Sequence, residues 1–307
     1  MKMFPCAKIN LGLYVTERRP DGYHNLETVF YPIPLCDELE VELSECGHDT
    51  LEIQGLPTGG DHAPAIGVEG ILSPTDNLVM RVVQMLREEG RMIPPLRVRL
   101  RKEIPSGAGL GGGSSDAAAM MRVLCDMFSL GHTEEDMERR VARLGADCAF
   151  FIRSIPVFAT GIGDQFTPLR LDLSGLWLVL VKPSDFVSTR EAYAAIVPRR
   201  PRHDLRESIL HPIEEWSQLM TNDFEDSVFP THPAIAHIKQ RLYDNGALYA
   251  AMSGSGSSVF GLFRNPPSDD MLQSLACAKD DAEDAECPRH FIFSAQLTST
   301  HPHPTQE

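Results

Sequence analysis

Residues 104–119 read IPSGAGLGGGSSDAAA and place five glycines in the seven positions from Gly107 to Gly113. So dense a run cannot be the interior of a helix or strand, where each glycine costs roughly 0.5–1 kcal/mol relative to alanine. It is a loop with regular flanks. LRVRLRKEI before it alternates as a strand does, and a helix follows from about Ser114 to Leu130. A strand, a glycine loop and a helix in that order suit an anion. Glycine lets the backbone approach oxygens closely and aim consecutive N–H groups at them. The positive end of the helix dipole then faces the same charge.

Three other readings of the loop fall away. Gly107, Gly109 and Gly112 satisfy the dinucleotide pattern G-x-G-x-x-G, but a run this rich in glycine matches by chance. That fingerprint also follows the first strand of a βαβ repeat, whereas this loop follows at least four other elements. A Walker loop needs G-K-[ST], and no lysine is present. A flexible linker is not usually flanked by a clean strand and a clean helix. What remains is a nucleotide triphosphate cradle. The Ser114 and Ser115 hydroxyls lie where they can reach a magnesium ion carried by the nucleotide.

Composition narrows the setting. The 307 residues suit about two domains at the usual ~150 residues each. The net charge of -15, with no basic stripe to offset it, excludes a nucleic-acid backbone as partner. A small anionic substrate needs only a local cationic pocket. The opening MKMFPCAKINLGLYV is no secretory signal, since Lys8 and Asn10 interrupt it and no cleavage site follows. No stretch approaches the ~20 apolar residues of a membrane span, so no membrane partner and a cytoplasmic location are expected. The seven cysteines are scattered without C-x-x-C, which predicts reduced thiols. The eleven histidines show no zinc spacing, so no structural metal is expected.

Along the chain, Ala7, Ile9, Leu11, Leu13 and Val15 alternate with Lys8, Asn10, Gly12 and Tyr14, predicting a strand with one buried face. Asp21-Gly22 is a turn signal; LETVFYPI and DELEVEL read as further strands. Residues 44–76 are rich in Gly, Pro and Asp and predict a hairpin with long loops. SPTDNLVMRVVQMLREEG predicts an amphipathic helix capped by Thr75 or Asp76 and ended by Gly90. TEEDMERRVARLG predicts another, with Thr133 as N-cap and Gly145 past its end. A domain boundary is expected within residues 154–168. Beyond it LWLVLVKP reads as a buried strand, 189–196, 212–220 and 233–245 as helical, and ALYAAMSGSGSSVFGLF as strand, loop, strand. There is no internal repeat.

PSGAGLGGGSSDAA resembles the second motif of the GHMP kinase superfamily, which includes galacto-, homoserine and mevalonate kinases. MSGSGSSVF resembles that superfamily's third motif. AKINLGLYVTERRPDGYHNLETVF, LGADCAFFI and TNDFE resemble one branch, the kinases acting on 4-diphosphocytidyl-2-C-methyl-D-erythritol in the non-mevalonate isoprenoid pathway. The resemblance runs from residue 6 to about 263. PDGYHNLETVF is its most specific block, because other branches lack it. Residues 44–74 and the tail carry none of it. It implies a two-domain α+β fold with the active site in the interdomain cleft. Residues 1–157 would form the N-terminal, ATP-binding domain and 158–297 the C-terminal domain, with 298–307 a disordered tail. The implied reaction is transfer of the γ-phosphate of ATP, with Mg2+, to the 2-hydroxyl of that substrate.

Phosphoryl transfer needs positioning, an acceptor for the hydroxyl proton and cations around the moving phosphate. Asp147 stands between the helix end at Gly145 and the apolar CAFFI. There it suits either a turn cap or a partly desolvated base with raised pKa; the resemblance implies the base. Lys8 by itself reads as a solvated strand lysine. The resemblance implies that it pairs with the aspartate, which would hold Asp147 ionised against desolvation. Tyr23 and His24 by type suit a packed aromatic and a surface histidine, or a stacking face and edge hydrogen bonds for cytosine. The resemblance implies the second, with Asn10 on the methylerythritol hydroxyls. It places the nucleotide on Pro105, Ser106, Gly107, Ala108, Gly109, Leu110, Gly111, Gly112, Gly113, Ser114 and Ser115, with Asn77 and Lys102 near the adenine. Ser253, Gly254, Ser255 and Gly256 would clasp substrate or nucleotide phosphates. KPSDFVST from Lys182 departs from the family, and its pyrimidine contacts stay open. Two rivals stand beside this reading. One is another GHMP kinase, such as homoserine kinase. The other is a non-catalytic nucleotide-binding regulator, against which the presence of both Lys8 and Asp147 argues.

Overall fold

The computed structural model describes residues 1–55, 77–277 and 290–299. The expected Thr75 or Asp76 cap, and residues 300–307 of the expected tail, lie outside the described residues. The structure is a mixed one built on three four-stranded sheets.

The middle sheet begins with two long antiparallel strands, β2 (Cys6–Arg18) and β3 (His24–Cys36). β2 is buried on both faces from Cys6 to Val15, which corrects the expectation of one buried face. A bulge at Gly12, where the pairing shifts between Leu11 and Leu13, turns Leu13 and Val15 onto the face that carries Lys8 and Asn10. Ala7, Ile9, Leu11 and Tyr14 enter one apolar cluster, while Leu13 and Val15 enter another. Before the bulge the glycine loop and Ser253 close over the polar face, and Lys8 and Asn10 are only 3% and 2% exposed. β7 (Val157–Thr160) and β8 (Gln165–Pro168) complete the sheet in the order β2-β3-β7-β8. The expected boundary at 157/158 therefore falls within a strand that pairs with β3.

The first sheet has the order β1 (Lys2–Met3), β4 (Glu38–Leu43), β6 (Leu96–Lys102), β5 (Thr50–Gly55). The hairpin expected over residues 44–76 does not form between β4 and β5. β5 instead lies parallel to β6, and parallel neighbours need a crossover. The crossover carries α1 (Leu78–Glu88), whose Val79, Val82, Val83 and Leu86 pack with Leu96, Val98 and Leu100. α2 (Gly112–Met127) joins the same core through Ala117, Ala118, Met121 and Leu124. α3 (Glu134–Val141) starts at Thr133 with a complete capping box, and α4 (Phe150–Arg153) follows a short 3-10 turn.

The third sheet is antiparallel, in the order β10 (Tyr249–Met252), β11 (Val259–Phe263), β9 (Trp177–Lys182), β12 (Phe291–Gln296). α5 (Thr189–Ala194), α8 (Asp223–Val228), α9 (Pro233–Asp244) and α10 (Asp269–Ala276) share its apolar cluster. α6 (Leu205–Ser208) and α7 (Trp216–Leu219) pack against the middle sheet's cluster. The helix expected over 212–220 is a 3-10 turn at Ile213–Glu215 running into α7.

Two local features correct or extend the sequence reading. Cys6 and Cys36 face each other across β2 and β3 and are joined as a disulfide, against the expectation of reduced thiols. Pairing register, not spacing, brings them together. The free edge of β2 is covered by the chain around Thr221–Asp223. Leu13 N–H donates to the Thr221 carbonyl at 2.9 Å, and Val15 N–H to Asp223 Oδ2 at 2.8 Å. Asp223 Oδ1 also accepts from Arg199 at 2.9 Å. Asp223→Ala leaves the buried Val15 N–H without its acceptor. The expected loss of stability in urea unfolding is about 1–3 kcal/mol, the usual cost of an orphaned buried donor.

Candidate active site

The glycine loop is gripped from behind. Its inward carbonyls are each taken by a protein donor: Leu110 by Lys8 N–H at 3.0 Å, Ala108 by Ser258 N–H at 3.3 Å, and Gly109 by the Ser253 hydroxyl at 2.9 Å. That leaves the amide side of the loop for an anion. α2 begins at Gly112, with Gly111 in the left-handed region as its N-cap. A Cβ on Gly109 would lie 2.0 Å from the Ser253 carbonyl oxygen, so glycine there admits the 253–258 loop. Gly113 differs: its Cβ would meet only Leu78, at 3.8 Å. Among the described residues, no protein contact demands a glycine at that exposed position on the first turn of α2.

The sequence-predicted serines separate. Ser115 is buried and donates to the Cys6 carbonyl at 2.8 Å, so its hydroxyl turns away from the loop mouth and does not reach toward a metal. Ser114 sits near Gly145, beside the 3-10 turn that carries Asp147. Pro105 is half-buried and Ser106 exposed on the approach to the loop. Among 253–256, Ser253 is fully buried and Ser255 half-buried, while Gly254 and Gly256 take left-handed turns.

Lys8 and Asp147 meet at the loop, Nζ to Oδ2, at 3.6 Å. The lysine side chain is 4% exposed and the aspartate 33%, so the cation is held inside and the carboxylate opens outward. Lys8 Nζ donates to Asn10 Oδ1 at 2.7 Å and to the Gly109 carbonyl at 3.0 Å, and stands 4.9 Å over the Phe30 ring. Burial lowers its pKa below the ordinary value, and the Asp147 charge only partly opposes this. Asn10 is itself fully engaged. Its Oδ1 receives Lys8 and Ser253, and its Nδ2 donates to Thr28 at 2.9 Å. Its position is that of an orienting group for Lys8.

Asn77 and Lys102, expected near the adenine, both make contacts within the protein. Asn77 is the N-cap of α1, its Oδ1 accepting from Val79 N–H at 2.9 Å. Lys102 turns into the protein, where Nζ contacts Asp37 and reaches Asp116 Oδ2 at 2.6 Å. Burial pulls the ammonium's pKa down, but the two carboxylates outweigh it and the net shift is upward. Burial pushes the Asp116 carboxyl up, to about 7, against the pull of Lys102. Asp37 and Asp116 were not legible as a pair in the sequence, since 79 residues of numbering separate 37 from 116.

Tyr23 is 61% exposed at the tip of the β2–β3 hairpin. His24 stacks on Tyr193 of α5, with centroids 4.9 Å apart and planes 23° from parallel. Burial, then the charge of Arg18, lowers the His24 pKa and favours the neutral ring. Tyr193 was missed by sequence reading. It makes an edge contact with Phe224 at 4.8 Å, and burial, then the Asp147 charge, raises its phenol pKa. The only sequence signal was one aromatic in a polar short helix.

Profiles of the GHMP kinases match both halves of the chain, the N terminal domain over residues 77–154 and the C terminal over residues 203–280. The chain belongs to the GHMP kinase family. It is 51% identical over 263 residues to the 4-diphosphocytidyl-2-C-methyl-D-erythritol kinase of Bacteroides thetaiotaomicron, covering 86% of this chain and 92% of that one. A crystal structure of 4-(cytidine 5'-diphospho)-2C-methyl-D-erythritol kinase superposes with a TM-score of 0.73 at 30% identity, over 97% of this chain and 100% of the other. A homoserine kinase from Cytophaga hutchinsonii shares the fold, with a TM-score of 0.61 at 17% identity over 97% and 94% of the two chains.

The open space at Gly113 yields a clean test of the cradle. In Gly113→Ala the added Cβ meets Leu78 only at 3.8 Å among the described residues, so thermal stability should stay near wild type. ATP affinity should fall about tenfold or more, roughly 1.4 kcal/mol, because the side chain stands where the ligand approaches. Calorimetric titration of the folded variant checks it.

Proposed function

We propose that this chain phosphorylates the 2-hydroxyl of 4-diphosphocytidyl-2-C-methyl-D-erythritol with ATP. The observation that carries the reading is the 3.6 Å approach of Lys8 to Asp147 at the mouth of the glycine loop. It sets a buried cation and an open carboxylate side by side at the glycine loop, where both can face a γ-phosphate and the hydroxyl that attacks it. Asp147 accepts the proton of the 2-hydroxyl. The freed oxygen forms its bond to the γ-phosphorus as the bridging oxygen of ADP departs. Lys8, fixed by Asn10 and the Gly109 carbonyl, offsets the negative charge on the transferring group. A magnesium ion carried with the nucleotide would screen its phosphates, and Ser114, on the first turn of α2 and on the Asp147 side of the loop, would be the hydroxyl placed to meet it. Tyr23 offers an exposed ring to the cytosine face, and neutral His24 one donor and one acceptor to its edge. An ATP-consuming step on a nucleotide-linked intermediate is read as cytoplasmic.

Asp147→Asn should keep fold and ATP binding while turnover falls roughly 10²-fold or more; a folded variant with near wild-type turnover removes the base role. The pH dependence has a definite sign. Because the Lys8 pKa lies below 10.5, the ammonium is lost, and activity with it, as pH rises through that lowered value. Lys8→Arg, permanently charged, should abolish this alkaline limb in the kcat/KM profile. Tyr23→Ala should weaken cytidine diphosphate binding by about 1–3 kcal/mol, roughly 5- to 150-fold, with Tyr23→Phe much milder. Equal binding of cytidine diphosphate by wild type and both variants, or binding by none, would count against the cytidine pocket and for a different acceptor.

A further inference from the structure

One buried ion cluster fastens both stems of the glycine loop. Asp37, between β3 and β4, is fully buried. Its Oδ1 accepts the N–H groups of Glu103 at 2.6 Å and Ile104 at 2.8 Å, the last two residues before the loop begins at Pro105. Its Oδ2 takes the Lys102 ammonium. The same ammonium reaches 2.6 Å to Asp116 Oδ2 on α2, just after the loop ends. A Cβ built on Gly112 would lie 3.4 Å from Lys102 Nζ, so the cluster is the floor of the loop.

Such a cluster is a poor stabiliser. Burying ions costs several kcal/mol each, and apolar residues of similar volume often do as well or better. What it supplies is geometry: it fixes the incoming and outgoing stems to one centre, and small displacements of positioning groups are costly for function. We propose that Asp37, Lys102 and Asp116 are positioning residues that set the separation of the loop stems and thereby nucleotide affinity, without touching the nucleotide. The proposal rests on the reading of the loop as an ATP cradle.

The test compares wild type, Asp116→Asn and the neutral triple variant Asp37→Asn/Lys102→Met/Asp116→Asn, which leaves no unpaired charge if the single variant fails to fold. Calorimetry with a non-hydrolysable ATP analogue and with cytidine diphosphate is read beside the melting temperature and steady-state kinetics. The expected result is analogue affinity lowered about tenfold or more in both variants, the scale of one charge-assisted hydrogen bond. KM for ATP rises in parallel, with kcat and cytidine diphosphate affinity within about twofold of wild type. A triple variant that binds the analogue like wild type overturns the proposal alone. So does a fall in melting temperature without any change in analogue affinity. Wild type that binds cytidine diphosphate but not the analogue overturns the cradle reading and this proposal with it.

Discussion

Lys8 sits on a strand that is buried on both faces, and an ammonium in that position must be surrounded by acceptors or be lost. Three are supplied, one locally and two from distant parts of the chain: Asn10 from the same strand, the Gly109 carbonyl from the glycine loop, and Asp147 from the turn before α4. The packing of β2 therefore fixes where the loop and the carboxylate can stand. Burial and the Asp147 charge pull the Lys8 pKa in opposite directions, and burial wins.

The glycine loop owes its shape to what lies behind it as much as to its composition. The 253–258 loop comes within bonding distance of its carbonyls, β2 donates to Leu110, and the Asp37–Lys102–Asp116 cluster lies under Gly112. Five glycines therefore serve different purposes. Gly109 makes room for the Ser253 carbonyl and Gly111 for the Phe151 ring, whereas Gly113 has open space beside it.

The long helices and strands were legible because their apolar residues recur at the right period over enough residues. α3 showed its capping box in four letters, TEED. Two mistaken expectations have a common cause. The one-sided strand failed because the glycine loop and Ser253 cover its polar face, and, within the described residues 44–55, β5 does not pair back on β4 because it pairs with a strand that lies beyond α1. Both depend on which element neighbours which, a choice made by packing and not by local pattern. The short helices α6 and α8 escaped notice because four to six residues carry no period.

The sequence by itself determined the chemistry available: a glycine loop opening a helix, an aspartate after a helix end, a lysine and an asparagine two apart on a strand, and a Tyr-His pair after a turn. These are local facts, and their meaning for an anion follows from backbone geometry. The tertiary structure decided which groups meet. It turned Ser115 inward to Cys6, gave Asn77 to a helix cap, drew Lys102 down between two aspartates, and laid His24 on Tyr193. The Asn77 cap is local; the other contacts join residues whose separation in the chain carries no record of their distance in space, so only the packing of the elements that bear them could bring them together.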